Sequence, residues 1–429
     1  MKESLAVYEK RMKWFRDAGL GMFIHWGLYS EFGHGEWAQW REDIHPLEYA
    51  KLAEKFLPNK FNADELAQLA KDGGAKYVVF GARHHDGFSL FDSKVSNFTS
   101  VKAPAKRDFV AEYVKAVRKA GLKVGLYYSP MDWSWPCFNM KLPPNDKLAW
   151  QKFVETGPSS YPKEWKDMQR YAHEQVRELM TNYGKIDLLW YDGCWYQTAE
   201  QWKSKELNSM VRKLQPHIVI NNRAGIVEDF DTPENEIPLN ITPQQRPWET
   251  CLCMNDTWGY ISGDINYKSI RQCLSTLIRV RSASGNILLN ISPKGDGSIP
   301  KQCKDTFLGL GNWLKVNGES IYGCGIAEMC PHGTGFFAQP GIFTGRHDRN
   351  MIYYHILRYL GKNEHCAKID AKVTSAELLH DGSKVKIKQI GRMVYFLDLP
   401  KKAPDTFDTV IKMRYAENSA VSAWTKNYV

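Results

Sequence analysis

Between residues 20 and 316, short apolar runs alternate with amphipathic stretches long enough to be helices. The strand-like runs cover 20–28, 75–82, 123–129, 188–191, 217–221 and 286–291. The helical ones cover 46–56, 63–71, 108–119, 163–182, 200–214, 269–282 and 301–316, with Asn62 as an N-cap and Gly121 as a stop. A chain that alternates in this way buries parallel strands under helices, in a barrel or a doubly wound sheet. Polar residues gather just after the strands, as in a barrel whose loops carry the site, and this favours a (β/α)8-like, TIM-type barrel. From Phe336 the pattern becomes short alternating runs at 351–357, 385–390, 392–397, 410–415 and 420–425, punctuated by Gly, Asp and Lys. That reads as an antiparallel β domain. The expected organisation is a barrel over 1–335 and a C-terminal antiparallel β domain over 336–429. The segment 133–161, with several Pro and Trp, reads as a long loop over the rim of a cleft.

The length of 429 residues exceeds one ordinary core, and 43% hydrophobic residues make disorder a poor description. The net charge of +9 is spread along the chain without a long Lys/Arg block, so no nucleic-acid partner is expected. The nine Cys have no framework or zinc-finger spacing; free thiols in a reducing compartment are the simplest reading. No apolar run approaches a membrane span and the N-terminus lacks a signal-peptide core. The expectation is a cytoplasmic protein, or an exported one whose signal precedes this numbering. Oligomeric state is not legible.

The chemistry lies at the strand ends. The run I-D-L-L-W-Y-D-G ends abruptly in Asp192 and Gly193, as a buried parallel strand does when it delivers one acid to its C-terminal end. The first strand ends in His25, Trp26 and Gly27 and runs on to His34, Glu36 and Trp37. The second ends R-H-H-D-G-F, the third Y-Y-S and the fifth N-N-R. Neutral His, Tyr and Arg donors suit the hydroxyls of a monosaccharide, and aromatic rings suit its apolar face; aromatics reach 13% here. His84, His85 and Asp86 raise the question of a metal. Neighbours on a strand point to opposite faces, and no H-x-H or H-E-x-x-H spacing occurs, so sugar contacts are favoured over a metal. A glycosidase also needs a second carboxyl, and Asp229, Asp231, Glu234, Glu236 and Glu249 are the choices.

These residues resemble glycoside hydrolase family 29, the retaining α-L-fucosidases. The motifs run in family order over roughly residues 10 to 325: W-F-R-D-A-G-L-G-M-F-I-H-W-G-L-Y-S, G-A-K-Y-V-V-F-G-A-R-H-H-D-G-F, R-D-F-V, G-L-K-V-G-L-Y-Y-S, L-L-W-Y-D-G, N-N-R, N-D-T-W-G-Y, G-N-I-L-L-N-I-S-P and N-G-E-S-I-Y-G. The resemblance implies a barrel followed by a β-sandwich, and hydrolysis of a terminal α-L-fucosyl bond of a glycan with no cofactor or metal. It makes Asp192 the nucleophile and places His25, Glu36, Trp37, His84, His85, Tyr128 and Arg223 on fucose hydroxyls and ring oxygen. Phe23 and Trp258 fall where rings pack on the fucose methyl. F-D-T-P-E resembles one branch's acid/base loop and favours Glu234, with Glu249 in reserve. That loop and N-D-T-W-G-Y resemble the branch preferring α-1,3/1,4-linked fucose. Asn222 departs from the N-D-R of many members. The carboxyls of a retaining pair should lie about 5–5.5 Å apart. The alternatives are a catalytically silent carbohydrate-binding protein on the same scaffold and a relative acting on sulfated fucan or another L-sugar.

Overall fold

The computed structural model describes residues 3–138, 157–194, 197–238, 246–330, 341–362 and 365–417. Seven parallel strands form one sheet: β1 (Leu20–Ile24), β2 (Tyr77–Arg83), β3 (Lys123–Tyr128), β4 (Leu188–Tyr191), β5 (Val219–Ile220), β6 (Glu249–Cys253) and β7 (Asn286–Ile291). Their order is β5-β4-β3-β2-β1-β7-β6. The two edges meet through the irregular segment 229–235. Phe230 bridges to Asn221 beyond β5, while Asp231 and Glu234 bridge to Trp248 and Cys251 along β6, all in parallel. The segment is in effect an eighth strand, and it closes the barrel. Among the described residues no helix separates β5 from this segment or this segment from β6.

The helices form where side chains cap them. Asn62 Oδ1 accepts from the Glu65 N–H at 3.1 Å, Asp108 Oδ1 from Ala111 N–H at 2.8 Å, and Ser269 with Gln272 makes a capping box. The stretch 200–214 is two helices, Ala199–Trp202 and Ser204–Leu214, because Lys203 takes a left-handed conformation at φ 52°. A helix not expected from the sequence, Leu5–Ala18, packs Met12, Phe15 and Ala18 against Tyr77, Leu188 and Val219. Those three begin or nearly begin their strands, so this helix plugs the N-terminal end of the barrel and leaves the other end open.

Seven further strands make two antiparallel sheets. One is β11 (Val373–Leu378), β14 (Thr409–Tyr415), β9 (Met351–Ile356) and β8 (Ile342–Arg346); the other is β10 (His365–Lys368), β13 (Met393–Leu397) and β12 (Lys386–Ile390). They share a core around Tyr354, Phe396 and Ile411, as a sandwich does. Tyr353, Met351 and Val410 face the other way and join the barrel's outer core. The 335/336 boundary, the 420–425 strand and most of the 133–161 loop lie outside the described residues. The flanks of that loop bury Trp133, Cys137 and Phe138 against Trp165 and Trp202.

Candidate active site

Strand alternation decides what the barrel's open end contains. In β1, β3 and β4 the side chains of Phe23, Tyr127 and Trp190 point inward. The inward rank continues past the strands to His25 and Asp192, each two residues on. Tyr127 and Trp190 are register partners and stack with ring centroids 5.7 Å apart. The result is a cavity of about 240 Å³ lined by these residues with Trp37, His84, His85, Arg223, Glu234, Cys251 and Trp258. It is smaller than the roughly 300–1,000 Å³ of drug-sized sites and suits a single sugar ring.

Asp192 lies on the cavity wall, its side chain 12% exposed. Its Oδ2 accepts from the Tyr127 hydroxyl at 2.9 Å and its Oδ1 from Arg223 Nη1 at 3.1 Å. His85 Nε2 stands 3.7 Å from Oδ2. The other nitrogen of Arg223, Nη2, donates to Glu234 Oε2 at 2.7 Å, and Trp258 Nε1 donates to Glu234 Oε1 at 3.0 Å. One planar fork therefore holds two carboxylates, which it cannot do unless they are close. Glu234 is 40% exposed at the mouth, within reach of solvent. The fork is itself fixed: Nε donates to Thr232 Oγ1 at 2.9 Å, and the guanidinium lies 4.7 Å over the Trp190 ring.

The imidazoles are neutral donors and acceptors. Burial pushes His25 down to about 4 and His85 to about 3, and His84 well below its ordinary value. His25 Nδ1 pairs with Asn290 Oδ1 at 2.7 Å and His85 Nδ1 with Ser129 Oγ at 2.6 Å, and both rings line the cavity. Burial, reinforced by the Asp192 carboxylate, pushes the Tyr127 phenol far up, so it remains a donor. The alternation argument separating His84 from His85 does not hold. β2 stops at Arg83, and the turn closed by Gly87 N–H on His84 O swings both rings to the cavity, centroids 4.1 Å apart. Among the described residues no group of three or more His, Cys, Asp or Glu is arranged to hold a metal ion.

Most residues expected at the site line this one cavity: Phe23, His25, Trp37, His84, His85, Asp192, Arg223, Glu234 and Trp258. Tyr128 is a correction. It points outward, where its hydroxyl donates to Gln175 Oε1 at 3.0 Å, and its neighbour Tyr127 occupies the cavity instead. A shift of one residue on a strand changes face. Glu36 is buried but does not line the cavity; its Oε2 accepts from Gly259 N–H at 2.7 Å and so holds the turn that carries Trp258. Glu249 opens β6 on the inner face, under Trp190, fully buried and off the cavity wall. Tyr127, Trp190 and Cys251 were not expected to line the site. Counting back two residues from Asp192 finds Trp190, and its register partner is Tyr127.

An inward carboxylate just past a barrel strand, a second at the mouth and a sugar-sized cavity of neutral donors and rings define a glycoside hydrolase. Comparison with known proteins narrows the class. The family model described as Alpha-L-fucosidase matches residues 2–319. Tissue alpha-L-fucosidase of Rattus norvegicus is 32% identical over 339 residues, 72% of this chain and 69% of that protein. Among solved structures, alpha-L-fucosidase isoenzyme 1 from Paenibacillus thiaminolyticus is 35% identical with TM-score 0.84, covering 96% of this chain and 100% of that one. A GH29 alpha-L-fucosidase from Bacteroides thetaiotaomicron, trapped as a covalent intermediate with 2-fluoro-fucosyl fluoride, is 28% identical with TM-score 0.79, covering 95% and 96%. The chain belongs to the alpha-L-fucosidase family, glycoside hydrolase family 29.

Proposed function

We propose that the protein is a retaining exo-α-L-fucosidase in which Asp192 is the nucleophile and Glu234 the acid/base. The observation that carries the assignment is the Arg223 fork, which holds an enclosed carboxylate and a mouth carboxylate at once. Asp192 attacks the anomeric carbon and displaces the glycan, whose oxygen takes the proton of Glu234. The carboxylate of Glu234 then draws a proton from water, which attacks the fucosyl-enzyme and regenerates Asp192. Support for the covalent step comes from the Bacteroides relative, trapped in that state. Tyr127 and Arg223 hold Asp192 for attack, and the neutral Nε2 atoms of His25 and His85 serve sugar hydroxyls. Phe23 and Trp258, ring centroids 6.0 Å apart, offer a dry wall for the C6 methyl. One methyl discriminates by only about 1–3 kcal/mol, so hydroxyl stereochemistry carries most of the selection.

The preferred bond in this reading is α-1,3- or α-1,4-linked fucose on a branched glycan, supported by the likeness of F-D-T-P-E and N-D-T-W-G-Y to that branch of the family. The test is fucose release from an aryl α-L-fucoside, 2′-fucosyllactose and a Lewis-type branched trisaccharide, with Asp192→Ala alongside. Release by the wild type alone, fastest from the branched trisaccharide, is expected. Preference for 2′-fucosyllactose would overturn the linkage. Binding of fucose without turnover of any substrate would overturn the hydrolase reading in favour of a sugar-binding protein.

A further inference from the structure

Both groups that hold Asp192 rest on the same indole. Tyr127 stacks on Trp190 with an interplanar angle of 22°, and the Arg223 guanidinium lies over the same ring system at 4.7 Å. The indole is in turn pinned from below. Its Nε1 donates to Glu249 Oε1 at 3.0 Å, and the Tyr77 hydroxyl donates to Glu249 Oε2. We propose that Glu249 is a positioning residue whose negative charge, acting through Trp190, holds Arg223 in its grip on Asp192 and Glu234. The proposal rests on the fucosidase reading and deepens it.

An anion accepting from the indole N–H makes a charge-assisted bond and enriches the ring face that the guanidinium covers. The same buried carboxylate adds to the negative field around a guanidinium that already serves two carboxylates. Two hydrogen bonds do not compensate for full burial, which pushes Glu249 up to about 7. The charged and titratable groups facing it are Tyr77 on β2, Arg223 beyond β5 and Cys251 on β6; Arg281 acts on Tyr77. The helix Leu5–Ala18 packs beneath Tyr77 with Trp14 and Phe15, which carry no charge. Glu249 is therefore largely neutral well below pH 7 and anionic well above it.

The test is kcat/KM on an aryl α-L-fucoside from pH 5 to pH 9 for wild type and Glu249→Gln, with inhibition by free fucose measured alongside. Gln keeps an acceptor for the indole and mimics the protonated acid. The ratio of wild type to variant should be near one at pH 5 and rise to about tenfold above pH 8, while fucose affinity stays within threefold. Taking the ratio removes the pH effects common to both enzymes, and a packing role would move it equally at every pH. A ratio flat across the range, at one or at any other value, overturns the proposal and leaves the fucosidase reading intact. A wild type that releases no fucose at any pH overturns that reading and this proposal with it. If Glu249→Gln does not fold, Tyr77→Phe is the second variant. Losing one donor makes the anion costlier, so this variant should fall below wild type around pH 7 and recover by pH 9; an unchanged profile overturns the proposal.

Discussion

Arg223 donates to Asp192 and Glu234 through different nitrogens, so it ties the two carboxyls together before substrate arrives. The consequence is a division of labour by exposure, with Asp192 enclosed and Glu234 at the mouth. Glu234→Ala should therefore cut turnover of glycans with poor leaving groups by about 10²–10⁴-fold. Aryl fucosides should suffer far less, and azide should restore their turnover as fucosyl azide, read by chromatography. The same signature in Glu249→Ala would transfer the role, against the placement of Glu249 beneath Trp190. Asn222, the departure from N-D-R, has a local explanation. Its Nδ2 donates to Asp231 Oδ1 at 3.1 Å and its Oδ1 accepts from Thr232 Oγ1 at 3.0 Å. An aspartate here would set two carboxylates against each other.

At the scale of the element, the segment 229–235 matters most, because it closes the barrel and carries Glu234. It is anchored at Asp229, whose two oxygens take Arg11 at 2.7 and 2.8 Å and whose Oδ2 also takes Arg212 at 2.9 Å. Breaking a buried pair of this kind costs about 3–5 kcal/mol. Asp229→Ala should lower the melting temperature and should slow natural glycans more than aryl fucosides, because Glu234, the proposed acid/base, is displaced with its strand; equal slowing of both would separate the anchor from Glu234. This segment shows where the sequence stops being legible. The runs at β2, β3, β4 and β7 are apolar and long enough to be read directly. F-D-T-P-E holds a proline and three polar residues, so nothing local marks it as a strand; its neighbours on either side make it one. β6 was missed for a related reason, since E-T-C-L-C begins with a charge that only a buried pair of donors accommodates. At the site, the strand ends were legible because they are polar where burial forbids it. Tyr127 against Tyr128 was not, because two identical side chains in sequence leave only the register to choose between them.

At the scale of the molecule, the sandwich sits on the barrel through a buried polar chain. Thr344 Oγ1 donates to Ser320 O at 2.7 Å and lies 3.1 Å from His355 Nε2, and His355 Nδ1 lies 2.7 Å from Asp408 Oδ2. Trp313 of the helix Lys301–Asn317 donates to Asp408 O at 3.3 Å. His355 and Asp408 are fully buried and far in sequence from every residue of the cavity. Asp408→Ala should cost roughly 3–5 kcal/mol of stability, read as a lower melting temperature. KM for an aryl fucoside should remain unchanged; a raised KM would show that the sandwich shapes the site.

The Arg11–Asp229 contact joins residues 218 apart in the chain. Contacts of that separation form late, because a long loop must close first. The segment's own bridges, Phe230 to Asn221 and Glu234 to Cys251, span far shorter separations. The clamp should therefore close after the segment has paired with its neighbours, so during refolding the helix Leu5–Ala18 should gain protection from hydrogen exchange later than β5 and β6 do.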